Sequence, residues 1–231
     1  MPDTAIVTGA SRGIGREICI ALAKRGHRVV AMSRSENQLL QLQSQYPSRI
    51  RAYPVDLTDV SEIQKFTSSF FDEFNRVNIL VNNAGSLVNK PFEELSKTDW
   101  QAMIDTNLLT NVLLTKALLP GFAKQAHIVN ISSMGGFQGS AKFRGLSAYS
   151  VAKGAVSILT ECLAVELADR DIRVNALCLG AVQTDMLAKA FPGFDAPVTA
   201  AAMGRYIADF ALTGSAFYNG QVLPVTLADP G

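Results

Sequence analysis

The sequence predicts an α/β fold, a doubly wound parallel sheet of seven strands with helices on both faces. Three observations favour it. Strand-like and helix-like segments alternate along all 231 residues, which is the pattern of parallel strands joined by crossover helices. A turn with three glycines follows the first predicted strand. Hydrophobic residues make up 48% of the chain, as a sheet that is buried on both faces requires.

The N-terminal half is predicted to contain four strands and three helices. Arg28–Met32 is apolar and β-branched, and Ile50–Val55 is predicted as a strand despite Pro54. Leucines mark the second helix, and Ile63 shares one side of the third helix with three phenylalanines. In chain order the elements are Thr4–Thr8 (strand), Gly13–Arg25 (helix), Arg28–Met32 (strand), Glu36–Gln45 (helix), Ile50–Val55 (strand), Val60–Phe74 (helix) and Val77–Asn82 (strand).

The C-terminal half continues the alternation. A long helix closes near Pro120-Gly121, and an alanine-rich helix precedes the last strand. In chain order the elements are Thr98–Phe122 (helix), Ala126–Ser132 (strand), Ser147–Ala168 (helix), Ile172–Leu179 (strand), Thr199–Leu212 (helix) and Gln221–Val225 (strand). Since no Pro/Ser-rich linker divides the chain, a single domain over residues 1–231 is predicted.

Composition argues against several classes of function. The net charge of +1 gives no electrostatic footprint for nucleic acid or an anionic membrane. No apolar run approaches 18 residues and the start lacks a signal-peptide pattern, so a cytoplasmic protein is expected. Cys19, Cys162 and Cys178 are expected to be reduced core thiols. His27 and His127 have no nearby ligand partners, so no metal site is expected.

The glycine-rich turn is Thr8-Gly9-Ala10-Ser11-Arg12-Gly13-Ile14-Gly15. Its glycines let the backbone turn sharply and let a pyrophosphate approach the main-chain N–H groups, and the following helix adds its partial positive charge. The alternative is a tight turn without a ligand. Its position between the first strand and the first helix favours a Rossmann-type dinucleotide-binding domain.

The ends of the next strands predict how the cofactor is selected. Where a carboxylate would bind the ribose of NAD, this chain has Ser33-Arg34. Arg34, together with Arg12, could bind a 2′-phosphate, so NADP(H) is preferred over NAD(H). The alternative is that Arg34 is a solvated loop residue. Asp56-Leu57 and Asn82-Asn83-Ala84-Gly85 end the third and fourth strands, where open α/β sheets bind ligands, although asparagines also favour plain turns.

Tyr149 and Lys153 are the strongest candidates for catalysis. Residues four apart share one face of a helix, so a phenol and an ammonium are expected side by side. A cation about 4 Å from the hydroxyl could lower the phenol pKa by up to about three units. Taken alone, such a pair is usually a partly buried ring and a solvated amine. Ser133 ends the fifth strand, and Asn107 lies inside the long helix.

Together these motifs resemble the short-chain dehydrogenase/reductase family, in order, over about residues 4–187. The matches include Arg173-Val174-Asn175 and Thr184-Asp185-Met186, and the chain is most similar to 3-oxoacyl-carrier-protein reductases and related carbonyl reductases. The resemblance implies that Tyr149 is the general acid, Ser133 polarises the carbonyl, and Lys153 binds the nicotinamide ribose. Asn107 would hold a water linked to Lys153. The implied cofactor-binding residues are Gly9, Ser11, Arg12, Gly13, Ile14, Gly15, Ser33, Arg34, Asp56, Leu57, Asn83, Ala84, Gly85, Tyr149, Lys153, Gly180, Val182 and Thr184.

The function expected is NADP(H)-dependent reduction of a ketone, an aldehyde or a 3-oxoacyl thioester. Alternatives are an NAD-dependent alcohol dehydrogenase that works oxidatively and a non-catalytic NADP-binding regulator. Leu179-Gly180 replaces the family's Pro-Gly, and the lid at about 186–198 is short, which favours small or varied carbonyl substrates. Leu187, Phe191 and Phe194 remain to cover the pocket. The resemblance also implies a homotetramer or homodimer formed through Thr98–Phe122 and Ser147–Ala168.

Overall fold

The computed structural model describes residues 3–227. The chain start, on which the cytoplasmic prediction depends in part, includes Met1 and Pro2, which lie outside the described residues, as do residues 228–231. The strands are β1 Thr4–Thr8, β2 Arg28–Ser33, β3 Ile50–Pro54, β4 Val77–Asn82, β5 Phe122–Ser133, β6 Arg173–Leu179, β7 Val182–Gln183, β8 Val198–Thr199 and β9 Val222–Val225. The helices are α1 Gly13–Lys24, α2 Glu36–Gln45, α3 Val60–Glu73, α4 Lys97–Ile104, α5 Thr110–Leu118, α6 Ser147–Glu166, α7 Asp185–Ala190 and α8 Ala200–Thr213.

The predicted seven-stranded parallel sheet is confirmed. Its strand order is β3-β2-β1-β4-β5-β6-β9, and β7 and β8 form a separate parallel pair. The chain therefore begins in the middle of the sheet, runs to one edge, and then crosses to the other side of β1. Ligands bind at such a reversal of strand order in open α/β sheets, outside the carboxyl ends of the strands.

Apolar cores cover both faces of the sheet. Side chains alternate along β1, so that Ala5 and Val7 pack with α1, α2 and α8, whereas Ile6 packs with α3, α5 and α6. The phenylalanines predicted to share a face of α3 do so, and Phe70 is fully buried. Because both faces are covered, most of the buried side chains in the strands are apolar.

The predicted long helix is interrupted. A capping box between Ser96 and Asp99 begins α4, a π-helical turn at Asp105–Leu109 follows, and α5 ends before a 3-10 turn at Leu119–Gly121. Phe122, which was predicted to end the helix, instead begins β5. Pro120 has no N–H to continue the helix. The π-helical turn is a deviation that apolar periodicity does not reveal, and such turns are frequent at functional sites.

Helix α6 has the length and apolar composition of a membrane-spanning helix. Its buried residues Ala152, Val156 and Ala164 face the rest of the fold, and the helix packs against β5 and β6. The packing is that of a core helix beside a buried sheet. Cys19 and Cys178 are buried as predicted, but the prediction for Cys162 was wrong because this residue lies on the exposed side of α6.

A buried histidine is expected to make the protein sensitive to acid. One ring nitrogen of His127, Nδ1, lies 3.0 Å from the Ala211 carbonyl oxygen, and Nε2 lies 3.0 Å from the amide nitrogen of Asn175. A neutral ring satisfies both contacts, with Nδ1–H donating and Nε2 accepting. Burial lowers the His127 pKa from 6.5 to about 4, although the hydrogen bond to Ala211 acts in the opposite direction.

Between pH 6.5 and 4 the unfolded chain therefore binds a proton at His127 that the folded chain does not. The free energy of unfolding should fall as the pH decreases through this window, by about 2–3 kcal/mol at pH 4.5. We expect His127→Gln to lose less stability than the wild type between pH 7 and pH 4.5 in urea titrations. An identical loss in the two proteins would contradict this assignment.

Candidate active site

The glycine turn closes tightly at the carboxyl end of β1. Gly9 and Gly13 have φ angles of +65° and +56°, a region that side chains rarely adopt. A side chain at Gly15 would collide with the Gly9 carbonyl oxygen, and a Cβ there would lie 2.5 Å from the Asn83 amide nitrogen. Arg12, at the start of α1, makes no side-chain cap. The N-terminus of α1 therefore offers backbone N–H groups to an anion.

Thr8 and Asn83 join this turn to the end of β4. The Thr8 hydroxyl accepts hydrogen bonds of 2.9 Å from the backbone N–H groups of Asn83 and Ala84, and the Asn83 amide donates to the Thr8 carbonyl at 2.9 Å. Asn82 points the other way. It is buried, and its amide donates to Asn130 at 2.8 Å. The expectation of a cofactor contact at Asn82 was therefore wrong, because this side chain joins neighbouring strands.

The residues predicted to select the cofactor share one groove. Ser33, Arg34, Asp56 and Leu57 line it beyond the ends of β2 and β3. Burial alone would raise the Asp56 pKa, but hydrogen bonds from Thr58 and the positive charge of Arg34 outweigh it, and the pKa is lowered. Asp56 is therefore an ionised hydrogen-bond acceptor, and Arg34 lies close enough for the two charges to interact.

Arg12 lines the same groove, at the start of α1. Its guanidinium is 3.9 Å from the carboxylate of Asp185, in the first turn of α7, and both side chains are largely exposed. Thr184 caps α7 by accepting a hydrogen bond from the Leu187 N–H. The short helix α7 therefore begins beside the glycine turn, and Arg12 is placed between the turn and the lid.

Four polar side chains meet where β5 ends against α6. Ser133, at the end of β5, lies beside Tyr149, and its hydroxyl is close enough to influence the phenol pKa. Lys153 lies one turn further along α6, and its ammonium donates to the Ile131 carbonyl at 2.8 Å. The amide of Asn107, in the π-helical turn, donates to the carbonyls of Ser86 and Met103 at 3.0 Å. The Asn107 oxygen accepts from the Ser86 N–H at 3.2 Å, so this side chain holds the loop that follows β4.

The pKa values of this group differ from the sequence-based expectation. Burial raises the Tyr149 pKa, while the hydrogen bond with Ser133 acts in the opposite direction. The predicted lowering by Lys153 was wrong for this structure. The Lys153 ammonium lies over the Tyr149 ring, 5.9 Å from its centroid, and donates its hydrogen bond to the Ile131 carbonyl. Burial also lowers the Lys153 pKa to about 8. The phenol is therefore protonated at neutral pH.

One continuous cavity of about 1030 Å³ joins the glycine turn to Tyr149. Every predicted cofactor-binding residue except Gly15 lines it, and so do Asn107 and Ser133. Gly15 does not line the cavity, but its lack of a side chain allows the glycine turn to pack tightly. Gly180, Val182 and Thr184 border the cavity between β6 and α7. The arrangement can hold a dinucleotide along the groove and a small molecule beside the paired hydroxyls.

Comparison with known proteins identifies the family. The sequence pattern of the short chain dehydrogenase family matches residues 3–193. The chain belongs to the short-chain dehydrogenase/reductase family. The 3-oxoacyl-[acyl-carrier-protein] reductase FabG of Vibrio cholerae is 35% identical over 184 residues, which cover 79% of this chain and 74% of FabG. The FabG of Escherichia coli shows the same identity and coverage.

A solved structure shows the same fold beyond the region of the family match. The 3-ketoacyl-(acyl-carrier-protein) reductase of Brucella melitensis, solved in complex with NADH, has a TM-score of 0.88. It is 24% identical, and the superposition covers 96% of each chain. This short-chain dehydrogenase/reductase is therefore an oxidoreductase similar to the FabG ketoreductases, and α8 and β9 belong to the shared fold.

Two features of the site escaped the sequence analysis. The main-chain carbonyl of Ile131 holds Lys153, and backbone contacts leave no side-chain signal. Gly136, just after β5, touches the backbone of α6: an added Cβ would lie 2.5 Å from Gly154 N and 2.8 Å from Lys153 Cβ. The adjacent Gly135-Gly136 pair was the available signal for this close approach.

Proposed function

We propose that this short-chain dehydrogenase/reductase reduces carbonyl compounds to alcohols with NADP(H). The observation that carries this proposal is that the hydroxyls of Ser133 and Tyr149 lie beside each other at the edge of the cavity, with Lys153 one turn further along α6. Two hydroxyls can hold one carbonyl oxygen, and the raised pKa keeps Tyr149 protonated and ready to donate. The experiment that tests the proposal is NADPH oxidation in the presence of a panel of ketones, aldehydes and 3-oxoacyl thioesters.

The groove fits a nicotinamide dinucleotide. Support comes from the open N-terminus of α1, the glycines whose side chains would block the turn, and the NADH bound to the Brucella relative. Gly85 packs closely at this end of the groove, since a Cβ there would lie 2.7 Å from Asn107 Oδ1 and 3.4 Å from the Lys153 ammonium. Lys153 lines the cavity and would donate a hydrogen bond to the ribose of the bound cofactor. When bound, the nicotinamide supplies the hydride that the reaction requires.

The protein's own residues position the substrate oxygen and supply the proton that it receives. Ser133 donates a hydrogen bond to the substrate oxygen, and Tyr149 donates the proton as negative charge develops there. The phenolate that remains is stabilised by the Lys153 charge, which lies over the ring. The protonated phenol is the form of Tyr149 that reduction requires, whereas alcohol oxidation requires the phenolate as base.

Arg34 is proposed to select NADP(H). It lines the groove beyond β2 and is flanked in sequence by Ser33 and Ser35, so a 2′-phosphate would find a cation there. We expect Arg34→Asp to lower kcat/KM for NADPH by about tenfold or more, because an attractive charge pair becomes a repulsive one. The kcat/KM for NADH, measured with the same carbonyl substrate, should change far less. Arg34→Lys serves as the matched control because it keeps the charge.

The proposed partner is a second copy of this chain, in a homodimer or homotetramer. Val151, Ile158 and Val165 are exposed on α6 and follow one another at seven-residue intervals, so they form an apolar line on its outer side. We expect light scattering to give at least twice the monomer mass, and Ile158→Glu to shift the protein toward monomer. A monomeric wild-type protein would contradict this proposal.

A further inference from the structure

The substrate end of the cavity is apolar and roofed by three loops. We infer that the substrate is an uncharged carbonyl compound with a flat apolar group, which is held by Phe143 and Phe191. These two residues are called the aromatic pair below. The inference rests on the proposed function, because it concerns what lies next to Ser133 and Tyr149.

Three segments are tied together over this end of the cavity. The Lys90 N–H donates to the Gly145 carbonyl at 3.0 Å, joining the loop after β4 to the loop before α6. The Asn89 amide donates to the Ala190 carbonyl at 2.9 Å, joining the same loop to the end of α7. These hydrogen bonds join the three segments into one roof, and the shape of that roof can select substrates.

The aromatic pair completes this roof. The rings of Phe143, before α6, and Phe191, after α7, lie 6.3 Å apart between centroids with an interplanar angle of 60°. This is an edge-to-face arrangement within the favourable range for aromatic rings. Phe143 is still 40% exposed and Phe194 is 49% exposed, although both border the cavity. Part of the surface of these aromatic rings therefore remains free to contact a ring of the substrate.

Apolar side chains also line the rest of this end. Leu87, Met134, Leu146 and Leu187 contribute to the cavity wall around Tyr149. A thioether and branched aliphatic groups adapt to a flat hydrocarbon surface and gain by excluding water from it. These neighbours favour an apolar substituent on the carbonyl carbon.

Apart from Lys153, the charged side chains that line the cavity belong to its cofactor end. Among the described residues that line it, the charged side chains near the cofactor groove are Arg12, Arg16, Glu17, Arg34, Asp56 and Asp185. Lys153 is bonded to Ile131 behind Tyr149. Lys142, next to the aromatic pair, turns back to its own loop and donates to the Ser140 hydroxyl at 2.7 Å. A carboxylate on the substrate would thus be desolvated without a dedicated partner, which is costly.

Matched substrates test the inference. For the ring, 1-phenyl-1,2-propanedione is compared with 2,3-butanedione, which has methyl in place of phenyl. We expect kcat/KM with NADPH to be about tenfold or more higher for the phenyl compound, from burial of the ring and its aromatic contacts. For the charge, ethyl benzoylformate should be reduced at least about tenfold more efficiently than benzoylformate. Equal efficiencies within either pair would overturn the corresponding part of the inference.

Substitutions of the aromatic pair test whether these side chains cause the preference for the phenyl dione. Phe143→Ala and Phe191→Ala should each lower kcat/KM for the phenyl dione by about tenfold and should lower the value for 2,3-butanedione by a clearly smaller factor. Phe217→Ala, an equivalent truncation at an exposed phenylalanine that does not border the cavity, is the control. Equal losses for both diones would show that the aromatic pair only supports the fold, and this result would overturn its role in recognition.

A binding measurement separates this inference from the proposed function. Benzamide and acetamide, which are not reduced, are titrated into the protein with NADP⁺ and followed by saturation-transfer NMR. Tighter binding of benzamide that is lost in Phe143→Ala supports the aromatic site even if no carbonyl compound is turned over. Equal binding of the two amides overturns the inference even if NADPH-dependent reduction is observed.

Discussion

Tyr149→Phe is expected to lower kcat for carbonyl reduction by about 10³-fold, within the range of 10²–10⁴ typical of a lost general acid. The substitution removes one oxygen and keeps the ring over which the Lys153 ammonium lies. Ser133 could still donate a hydrogen bond to the substrate oxygen, but no protonated side chain would be positioned to transfer a proton. The affinity for NADPH should stay within about threefold, because Lys153 and the glycine turn remain in place.

The measurement needs both a kinetic and a binding readout. Steady-state reduction of a carbonyl substrate gives kcat, and quenching of NADPH fluorescence gives the dissociation constant. Tyr206→Phe is the matched control: it removes the same atom from a tyrosine that is 43% exposed on α8 and does not border the cavity. If Tyr149→Phe and Tyr206→Phe had the same kcat, Tyr149 would not be the acid, and the proposed mechanism would fail.

Much of the architecture could be predicted because it depends on local patterns. The alternation of β-branched runs with amphipathic helices predicted all seven strands of the main sheet, and the glycine spacing placed the groove at the end of β1. The interrupted helix was not predicted. The break at Asp105–Leu109 is a change in hydrogen-bonding pattern inside a continuous helical segment. Asp105, Thr106 and Asn107 have low helical propensities, but propensity does not distinguish a π-helical turn from an α-helical one.

The electrostatics of the site depended on tertiary contacts that spacing does not encode. Tyr149 and Lys153 share a face of α6 as their spacing requires, yet the ammonium donates to the Ile131 carbonyl of β5. Burial then controls both groups, raising the Tyr149 pKa and lowering that of Lys153 to about 8. A sequence can place two side chains on one helix face, but not the depth at which that face is buried.

An added side chain at Gly136 is expected to disturb the geometry of the catalytic residues. Gly136 belongs to the turn that follows Ser133, and it lies directly against α6 at Lys153 and Gly154. An added Cβ would lie 2.5 Å from both Gly154 N and Lys153 C, which are backbone atoms that cannot rotate away. Either the turn or the helix must shift, and each shift separates Ser133 from Tyr149.

We therefore expect Gly136→Ala to lower kcat/KM by about 10²-fold, the effect of a misplacement of about 1 Å at a catalytic group. The same overpacking should cost about 1–3 kcal/mol of unfolding free energy, measured in urea. Gly154→Ala, on the other side of the same contact, is the control. Its Cβ would lie 3.4 Å from the Gly136 carbonyl oxygen, an ordinary contact, and alanine favours the helix. Equal activity of the two variants would show that this close approach does not set the distance between Ser133 and Tyr149.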